Sequence, residues 1–145
     1  MSVDVVILAA GQGTRMRSRL PKVLQPLAGR PMLAHVMDMA AGLDGARLHV
    51  VYGHGGATVP AAFSDMGVNW VEQAEQLGTG HAVEQAMPGI EDGSTVLVLY
   101  GDVPLVKAKT AASLIAAGTR GVALLTVRMS DPAGYGRIVR DGEGR

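Results

Sequence analysis

The chain has 145 residues, no cysteine, and 13 basic residues balanced by 13 acidic ones. This composition favours one globular domain in a reducing compartment, and it excludes a disulfide framework, a zinc–thiolate site and a thiol nucleophile. Because the net charge is zero and no apolar run is long enough to span a bilayer, we expect a cytoplasmic protein that binds neither nucleic acid nor membrane.

Apolar runs alternate with helical patterns along the chain. The predicted strands are residues 3–10, 47–52, 68–72, 95–100 and 122–127. The first predicted helix opens at Pro31 and ends before Gly42, the second has Thr79 as its cap and is stopped by Pro88-Gly89, and the third covers residues 108–117. Continuous apolar strands are typical of parallel sheets buried on both faces. The order of elements predicts an α/β fold with a Rossmann-like, doubly wound, mostly parallel sheet and right-handed crossovers.

The last residues carry the pattern of an unfinished hairpin. Residues 135–140 alternate as a strand does, and Asp141-Gly142 is a hairpin turn signal. No returning strand follows before Arg145, which would leave an unpaired edge. We therefore expect the domain to be C-terminally incomplete, with residues 1–145 forming only part of something longer.

A glycine-rich turn with basic residues follows the first predicted strand. Gly11 and Gly13 are followed by four cations, Arg15, Arg17, Arg19 and Lys22. Glycines allow backbone N–H groups to converge on an anion, so this loop suits a nucleoside polyphosphate. A turn that is glycine-rich for geometry alone, with solvated arginines, is the alternative.

Two better-known phosphate loops do not fit this turn. A dinucleotide-binding fingerprint would need glycine where Met16 stands, which disfavours an NAD-dependent oxidoreductase. A Walker A loop would need Gly-Lys-Ser or Gly-Lys-Thr, which the residues after Met16 do not supply.

Asp102 follows a predicted interior strand and Gly101. In open α/β sheets, ligands bind in the crevice at the carboxyl ends of the strands. A carboxylate there is well placed to hold a hard divalent cation against phosphate oxygens. A turn residue or helix cap is the alternative for Asp102 taken singly.

Two further segments carry candidate binding groups. In the loop before the second helix, glutamine amides can match the imide edge of uracil, and Gly78 permits a close approach to a base. The same residues are equally consistent with a polar loop in which Thr79 caps the helix that follows. Gly134–Arg137 is consistent either with backbone N–H groups that bind a sugar or with a bend that enters a strand.

Four blocks, in order, resemble the sugar-nucleotide pyrophosphorylases, and most closely the bacterial N-acetylglucosamine-1-phosphate uridylyltransferases. The blocks are residues 8–16 with 20–24, residues 76–81, residues 100–105 and residues 134–139. The first block is shared by nucleotidyltransferases of many specificities. The second and fourth narrow the resemblance to the enzyme that makes UDP-N-acetylglucosamine.

The resemblance implies a role for each matching residue. Transfer of UMP from UTP to N-acetylglucosamine 1-phosphate would give UDP-N-acetylglucosamine and pyrophosphate, with Mg²⁺ as cofactor. Asp102 would bind the metal, and Arg15 and Lys22 would neutralise the phosphates as the catalytic residues. The implied substrate-binding residues are Leu8, Ala9, Ala10, Gly11, Lys22, Gln73, Gln76, Gly78, Thr79, Tyr100, Gly101, Asp102 and Gly136.

The resemblance also implies sequence that is not present here. In that family the nucleotidyltransferase domain continues past the residue that matches Arg145 and supplies a second metal ligand, an asparagine. A C-terminal β-helix follows, which acetylates glucosamine 1-phosphate and forms homotrimers. Two alternatives stay open: a nucleotidyltransferase with another base or sugar specificity, and a non-catalytic nucleotide-binding module.

Overall fold

A computed structural model describes residues 2–11, 16, 18–53, 56–64, 66–119 and 121–143. The strands are β1 (Val3–Ala9), β2 (Pro26–Leu27), β3 (Arg30–Pro31), β4 (Ala46–Gly53), β5 (Asn69–Gln73) and β6 (Thr95–Tyr100). The helices are α1 (Met32–Ala41), α2 (Thr58–Ala61), α3 (Thr79–Ala86) and α4 (Ala108–Gly118), with short 3₁₀ turns at Lys22–Leu24 and Met87–Gly89. In the described part of the chain, every helix is too short or too polar to cross a bilayer.

A four-stranded parallel sheet in the order β5-β4-β1-β6 forms the centre, so the predicted α/β fold is confirmed. β1 pairs with β4 from Val3↔Ala46 to Ala9↔Tyr52, and with β6 from Val3↔Thr95 to Leu8↔Tyr100. The chain leaves β1 toward β4 on one side and returns to β6 on the other. The carboxyl ends of β1 and β6 therefore border the crevice where such folds bind ligands.

Helices cover both faces of this sheet. Alternate β1 residues, including Val5 and Ile7, pack in the larger apolar cluster with Leu33 and Met37 of α1. On the opposite face, Val6 and Leu8 of β1 pack in a smaller cluster with Ala82 and Ala86 of α3. The alternation follows from the two-residue period of a strand. As a result β1 is buried throughout, which accounts for its continuous apolar run.

The start of α3 differs from the prediction. Gly78, with φ +104°, occupies the cap position, and no side chain makes a capping hydrogen bond. Thr79 is the first helical residue, so its predicted role as the cap is wrong. Glycine adopts this positive φ without the Cβ clash that other residues meet, and that conformation lets the loop turn directly into the helix.

Residues 122–127 and 135–140, both predicted as strands, form none. No strand in the described part of the chain pairs with either segment, and an isolated segment cannot satisfy its backbone groups as a strand does. Their apolar side chains are exposed, with Val122 at 92% and Val139 at 87%. β6 is an edge strand that pairs with β1 alone within the described sheet.

A buried carboxylate, Asp4, lies at the amino-terminal edge of the sheet. The Arg47 guanidinium donates to both of its oxygens, at 3.0 and 2.8 Å, and His49 Nε2 lies 2.8 Å from Oδ1. Asn69 Nδ2 donates to His49 Nδ1 at 2.9 Å, which leaves Nε2 as the protonated ring nitrogen that donates to Asp4.

These contacts set the pKa of Asp4. Burial is the largest single influence and raises the pKa, but hydrogen bonds from Arg47, His49 and Ser94 and the charge of Arg47 together outweigh it. The pKa is therefore lowered from its ordinary 3.8 to about 2. The two carboxylates Asp4 and Glu91 in turn raise the pKa of Arg47 through their hydrogen bonds.

Candidate active site

A cavity of about 280 Å³ opens at the carboxyl ends of β1 and β6. Its lining residues are Leu8, Ala10, Gly11, Lys22, Val23, Gln73, Gln76, Gly78, Thr79, Ala82, Tyr100 and Asp102. The volume is close to the lower end of small-ligand pockets, about 300 Å³. Segments separated by up to about ninety residues in sequence meet here because their parallel strands end at one edge.

Lys22 and Asp102 form an ion pair at one wall of the cavity. Lys22 Nζ lies 2.5 Å from Asp102 Oδ2, and the two side chains are 40% and 30% exposed. Lys22 belongs to the 3₁₀ turn Lys22–Leu24, whose next two residues, Val23 and Leu24, are buried in the core. That anchoring fixes where the turn lies, so a cation and a carboxylate face the same space.

Gly101 holds Asp102 close to the core. Its amide donates to the Leu8 carbonyl at 2.9 Å, extending the β1–β6 ladder by one residue. A Cβ at this position would lie 3.2 Å from Leu33 Cδ1 and from Val23 Cγ1, tighter than ordinary van der Waals contact. Glycine therefore permits the approach of the backbone that brings Asp102 to the Lys22 turn.

The loop between β5 and α3 forms the opposite wall. Gln73 is 2% exposed, and its Nε2 donates to the Gly78 carbonyl at 3.1 Å and lies 3.0 Å from His81 Nδ1. The Gln85 amide lies 3.1 Å from the other ring nitrogen of His81. His81 is thus held by glutamines as a packed side chain. Gly78 and Thr79 line the cavity together with Gln73.

The structure brings most of the predicted site residues together around this cavity. Ala9 is instead a buried strand residue, and Gly101 supports the wall from behind. Gly136 does not line the cavity, and its segment contains no helix or strand. Arg15 lies outside the described residues.

Sequence reasoning did not single out Val23, Ala82 or Gly53. Val23 and Ala82 supply apolar surface to the cavity. Gly53, the last residue of β4, has no room for a side chain. A glycine directly after a predicted strand, at the edge where ligands bind, was the available signal for Gly53.

Asp102 is the residue with the chemistry to hold a divalent cation at this cavity. No group of three or more His, Asp or Glu side chains in the described ranges is arranged around a common metal position. A divalent cation held by one carboxylate would complete its shell with ligand oxygens and water rather than with a closed protein cage. The donor set therefore fits a metal that arrives with a nucleotide.

Sequence comparisons relate the chain to a family of transferase domains. The family profile described as the MobA-like NTP transferase domain matches residues 5–138. Over the whole of this chain, the identity to the bifunctional protein GlmU of Xanthomonas euvesicatoria is 60%. Over 98% of this chain, the identity to GlmU of Halorhodospira halophila is 63%. It spans about a third of the length of these curated relatives, 32% and 30%.

Solved structures share the fold. Rv0371c from Mycobacterium tuberculosis superposes with a TM-score of 0.70 at 27% identity, covering 83% of this chain and 62% of that one. A second structure of that protein, a complex with manganese, has a TM-score of 0.67 at 26% identity. A nucleotidyl transferase from Methanothermobacter thermautotrophicus has a TM-score of 0.64 at 26% identity, covering 79% of this chain and 57% of that one.

Proposed function

The chain belongs to the family of MobA-like NTP transferase domains, and from that premise we propose that it is the nucleotide-binding part of a uridylyltransferase. The proposed reaction transfers UMP from UTP to N-acetylglucosamine 1-phosphate, giving UDP-N-acetylglucosamine and pyrophosphate. The observation that carries the proposal is the cavity in which the Lys22–Asp102 pair faces the glutamine and glycine wall. One wall suits phosphates and metal, and the other suits a pyrimidine base.

Base recognition is assigned to the loop between β5 and α3. The Gln73 amide is held in place by Gly78 and His81, so its Oε1 would accept the N3–H of uracil without first losing side-chain freedom. Cytosine presents no N–H at N3, so this acceptor favours uracil over cytosine. The high identity to proteins named GlmU supports the same base.

The chemistry needs positioning and charge neutralisation rather than a general base. The phosphate oxygen of the sugar 1-phosphate is already ionised and attacks the α-phosphorus of UTP. The new P–O bond forms as the bond from the α-phosphorus to the bridging oxygen of the β-phosphate breaks, and pyrophosphate leaves. No covalent enzyme intermediate is required.

Three side chains carry the charge balance in this proposal. Lys22, with Arg15, would bind the phosphate oxygens, and Asp102 would hold Mg²⁺. When bound, the metal supplies neutralisation of the charge on the phosphates. Binding requires Lys22 to exchange part of its contact with Asp102 for phosphate, a small change because the pair is partly exposed.

The test measures nucleotide binding and turnover separately. Isothermal titration of the chain with UTP, CTP and GTP, each with and without Mg²⁺, should give the tightest binding for UTP with Mg²⁺. Preference for CTP or GTP would overturn the base assignment in favour of another nucleotidyltransferase. Release of pyrophosphate from UTP and N-acetylglucosamine 1-phosphate tests catalysis.

The chain spans about a third of the length of the Xanthomonas protein, 32%, and the pyrophosphate assay separates catalysis from a second candidate. UTP binding without pyrophosphate release would favour a non-catalytic nucleotide-binding module. The proposal also includes three further points: residues 1–145 form the first part of a larger domain, the protein is cytoplasmic, and the parent protein is a trimer.

A further inference from the structure

Gln76 joins the two walls of the cavity through its side chain. Its Nε2 donates to the backbone carbonyl of Ala10 at 2.8 Å, across 66 positions of sequence. Ala10 follows β1 directly and leads into the glycine turn on the phosphate side. Gln76 belongs to the loop on the base side. This hydrogen bond is therefore a direct link between the parts of the cavity assigned to the two ends of a nucleotide.

Gly53 leaves the space in which this link is made. A Cβ on Gly53 would lie 2.7 Å from Gln76 Nε2 and 2.8 Å from the Ala10 oxygen. Both distances are below any ordinary contact, and one of the two atoms belongs to the backbone. Any side chain at residue 53 would occupy the position of the hydrogen bond. The carboxyl ends of β1, β4 and β5 thus converge on one contact.

We propose that Gln76 is a positioning residue, which holds the Ala10–Gly11 segment and the Gly78–Thr79 segment at a fixed separation, and that Gly53 is required for it to do so. The inference rests on the proposed function, because it concerns the cavity assigned to UTP. It differs from direct recognition of uracil by Gln76, which the resemblance implies. The Gln76 amide nitrogen is already bound to Ala10, and base recognition falls to Gln73.

A positioning role predicts a specific pattern of affinity changes. A cavity that is already set to the right width loses less freedom when a nucleotide binds. Removing one hydrogen bond of this kind should raise the Kd roughly five- to tenfold. The factor should be the same for UTP and CTP, because the link acts on the cavity and not on the base.

The experiment compares three single variants of the whole chain with the unmodified chain. Gln76→Leu keeps a similar size without the donor, and Gly53→Ala displaces the same hydrogen bond while Gln76 is intact. Glu75→Ala is the matched control, since Glu75 lies exposed in the same loop and outside the cavity lining. Kd values for UTP and CTP with Mg²⁺ are measured by titration calorimetry, and circular dichroism melting reports whether each variant is folded.

Both test variants should raise the Kd for UTP and the Kd for CTP by equal factors, whereas Glu75→Ala should leave both Kd values unchanged. The double variant Gln76→Leu/Gly53→Ala should have a Kd no higher than that of the weaker-binding single variant, because both substitutions break the same contact. Additive losses would instead indicate two unrelated structural effects and would overturn the proposal. So would a change in the UTP-to-CTP ratio in Gln76→Leu, which would show direct contact with the base.

Amide hydrogen exchange on the nucleotide-free chain separates this inference from the proposed function. Residues 9–11 and 73–79 should exchange faster in Gln76→Leu than in the unmodified chain and in Glu75→Ala. If the unmodified chain binds no nucleotide, the proposed function fails, and the exchange data still decide whether the link holds the two walls. Unchanged exchange in Gln76→Leu would overturn the link itself.

Discussion

Replacing Asp4 by asparagine tests how the amino-terminal edge of the sheet is stabilised. The pKa of Asp4 is about 2 in the folded chain and 3.8 ordinarily. A carboxylate whose pKa is lowered by folding stabilises the protein fully above its unfolded pKa, and loses that contribution as the pH falls through its folded pKa. At about 1.36 kcal/mol per pH unit, about 2 kcal/mol of the free energy of unfolding should be lost by pH 2. The Asp4 side chain is 0% exposed, and its partner Arg47 is 40% exposed.

The assay is urea unfolding at pH 7, 5, 4, 3 and 2, followed by circular dichroism. Asp4→Asn keeps the shape of the side chain but removes the charge that faces Arg47 and His49, so the variant should be less stable at pH 7 by at least about 2 kcal/mol. The advantage of the unmodified chain should then shrink by about that amount between pH 5 and pH 2. Other carboxylates are common to both proteins, and their contributions cancel in the difference.

Asp92→Asn is the control, because Asp92 is an exposed carboxylate in the turn that precedes β6. Its stability difference from the unmodified chain measures what removal of a charge at an exposed turn does over the same pH range. If the Asp4→Asn difference stays constant with pH, Asp4 does not have a lowered pKa in the folded chain. The account of its hydrogen bonds to Arg47 and His49 would then be refuted.

Three further substitutions test the cavity. Lys22→Ala should raise the Kd for UTP with Mg²⁺ roughly 10- to 100-fold. It should change the free energy of unfolding by less than about 1 kcal/mol, because the pair with Asp102 is partly exposed. An unchanged Kd in calorimetry would contradict the role of Lys22 in phosphate binding. Asp102→Asn should remove most of the Mg²⁺ dependence of UTP binding, and full retention of that dependence would exclude Asp102 as the ligand. Gly78→Ala, at φ +104°, should cost about 1–3 kcal/mol in urea unfolding, whereas exposed Gly67→Ala, a control with open space at its Cβ, should cost less.

The sequence predicted the central sheet because its strands have strong local signals. Buried parallel strands read as continuous apolar runs, and β1, β4, β5 and β6 were each placed to within one or two residues. The predicted strand at residues 122–127 was wrong, and the local sequence pattern does not show why. A strand needs a partner, and an apolar run shows only that a segment is able to pair.

The hairpin formed by β2 and β3 was missed because its turn lacks the usual residues. Two-residue hairpin turns that need positive φ at both positions favour Asn-Gly or Asp-Gly. Here Ala28 and Gly29 take φ values of +50° and +80°. Alanine carries no signal for that conformation, so surrounding structure must hold it there. The hydrogen bond from the Met32 amide to the Gln25 carbonyl, 3.0 Å, closes the loop around this turn.

Most of the candidate site was predictable because it lies at strand ends, which a sequence marks with glycine and a change from apolar to polar residues. Asp102 was named from that rule and Lys22 as one of the cations after the first glycine turn, and the two side chains lie 2.5 Å apart. Gly53 and Asp4 were not named. Their roles depend on which residues of neighbouring strands lie side by side, and register is not visible in one strand alone.

Register connects Asp4 to the cavity at the other end of β1. Asp4 and Arg47 are direct partners across the β1–β4 pair, and the same register places Ala9 beside Tyr52. Gly53 therefore follows alongside Ala10, where its missing side chain leaves space for Gln76. A slip of one residue would take Arg47 away from the Asp4 carboxylate and would put a side chain in place of Gly53. The ion pair between the buried Asp4 and Arg47 therefore forms in the same alignment that allows the link from Gln76 to Ala10.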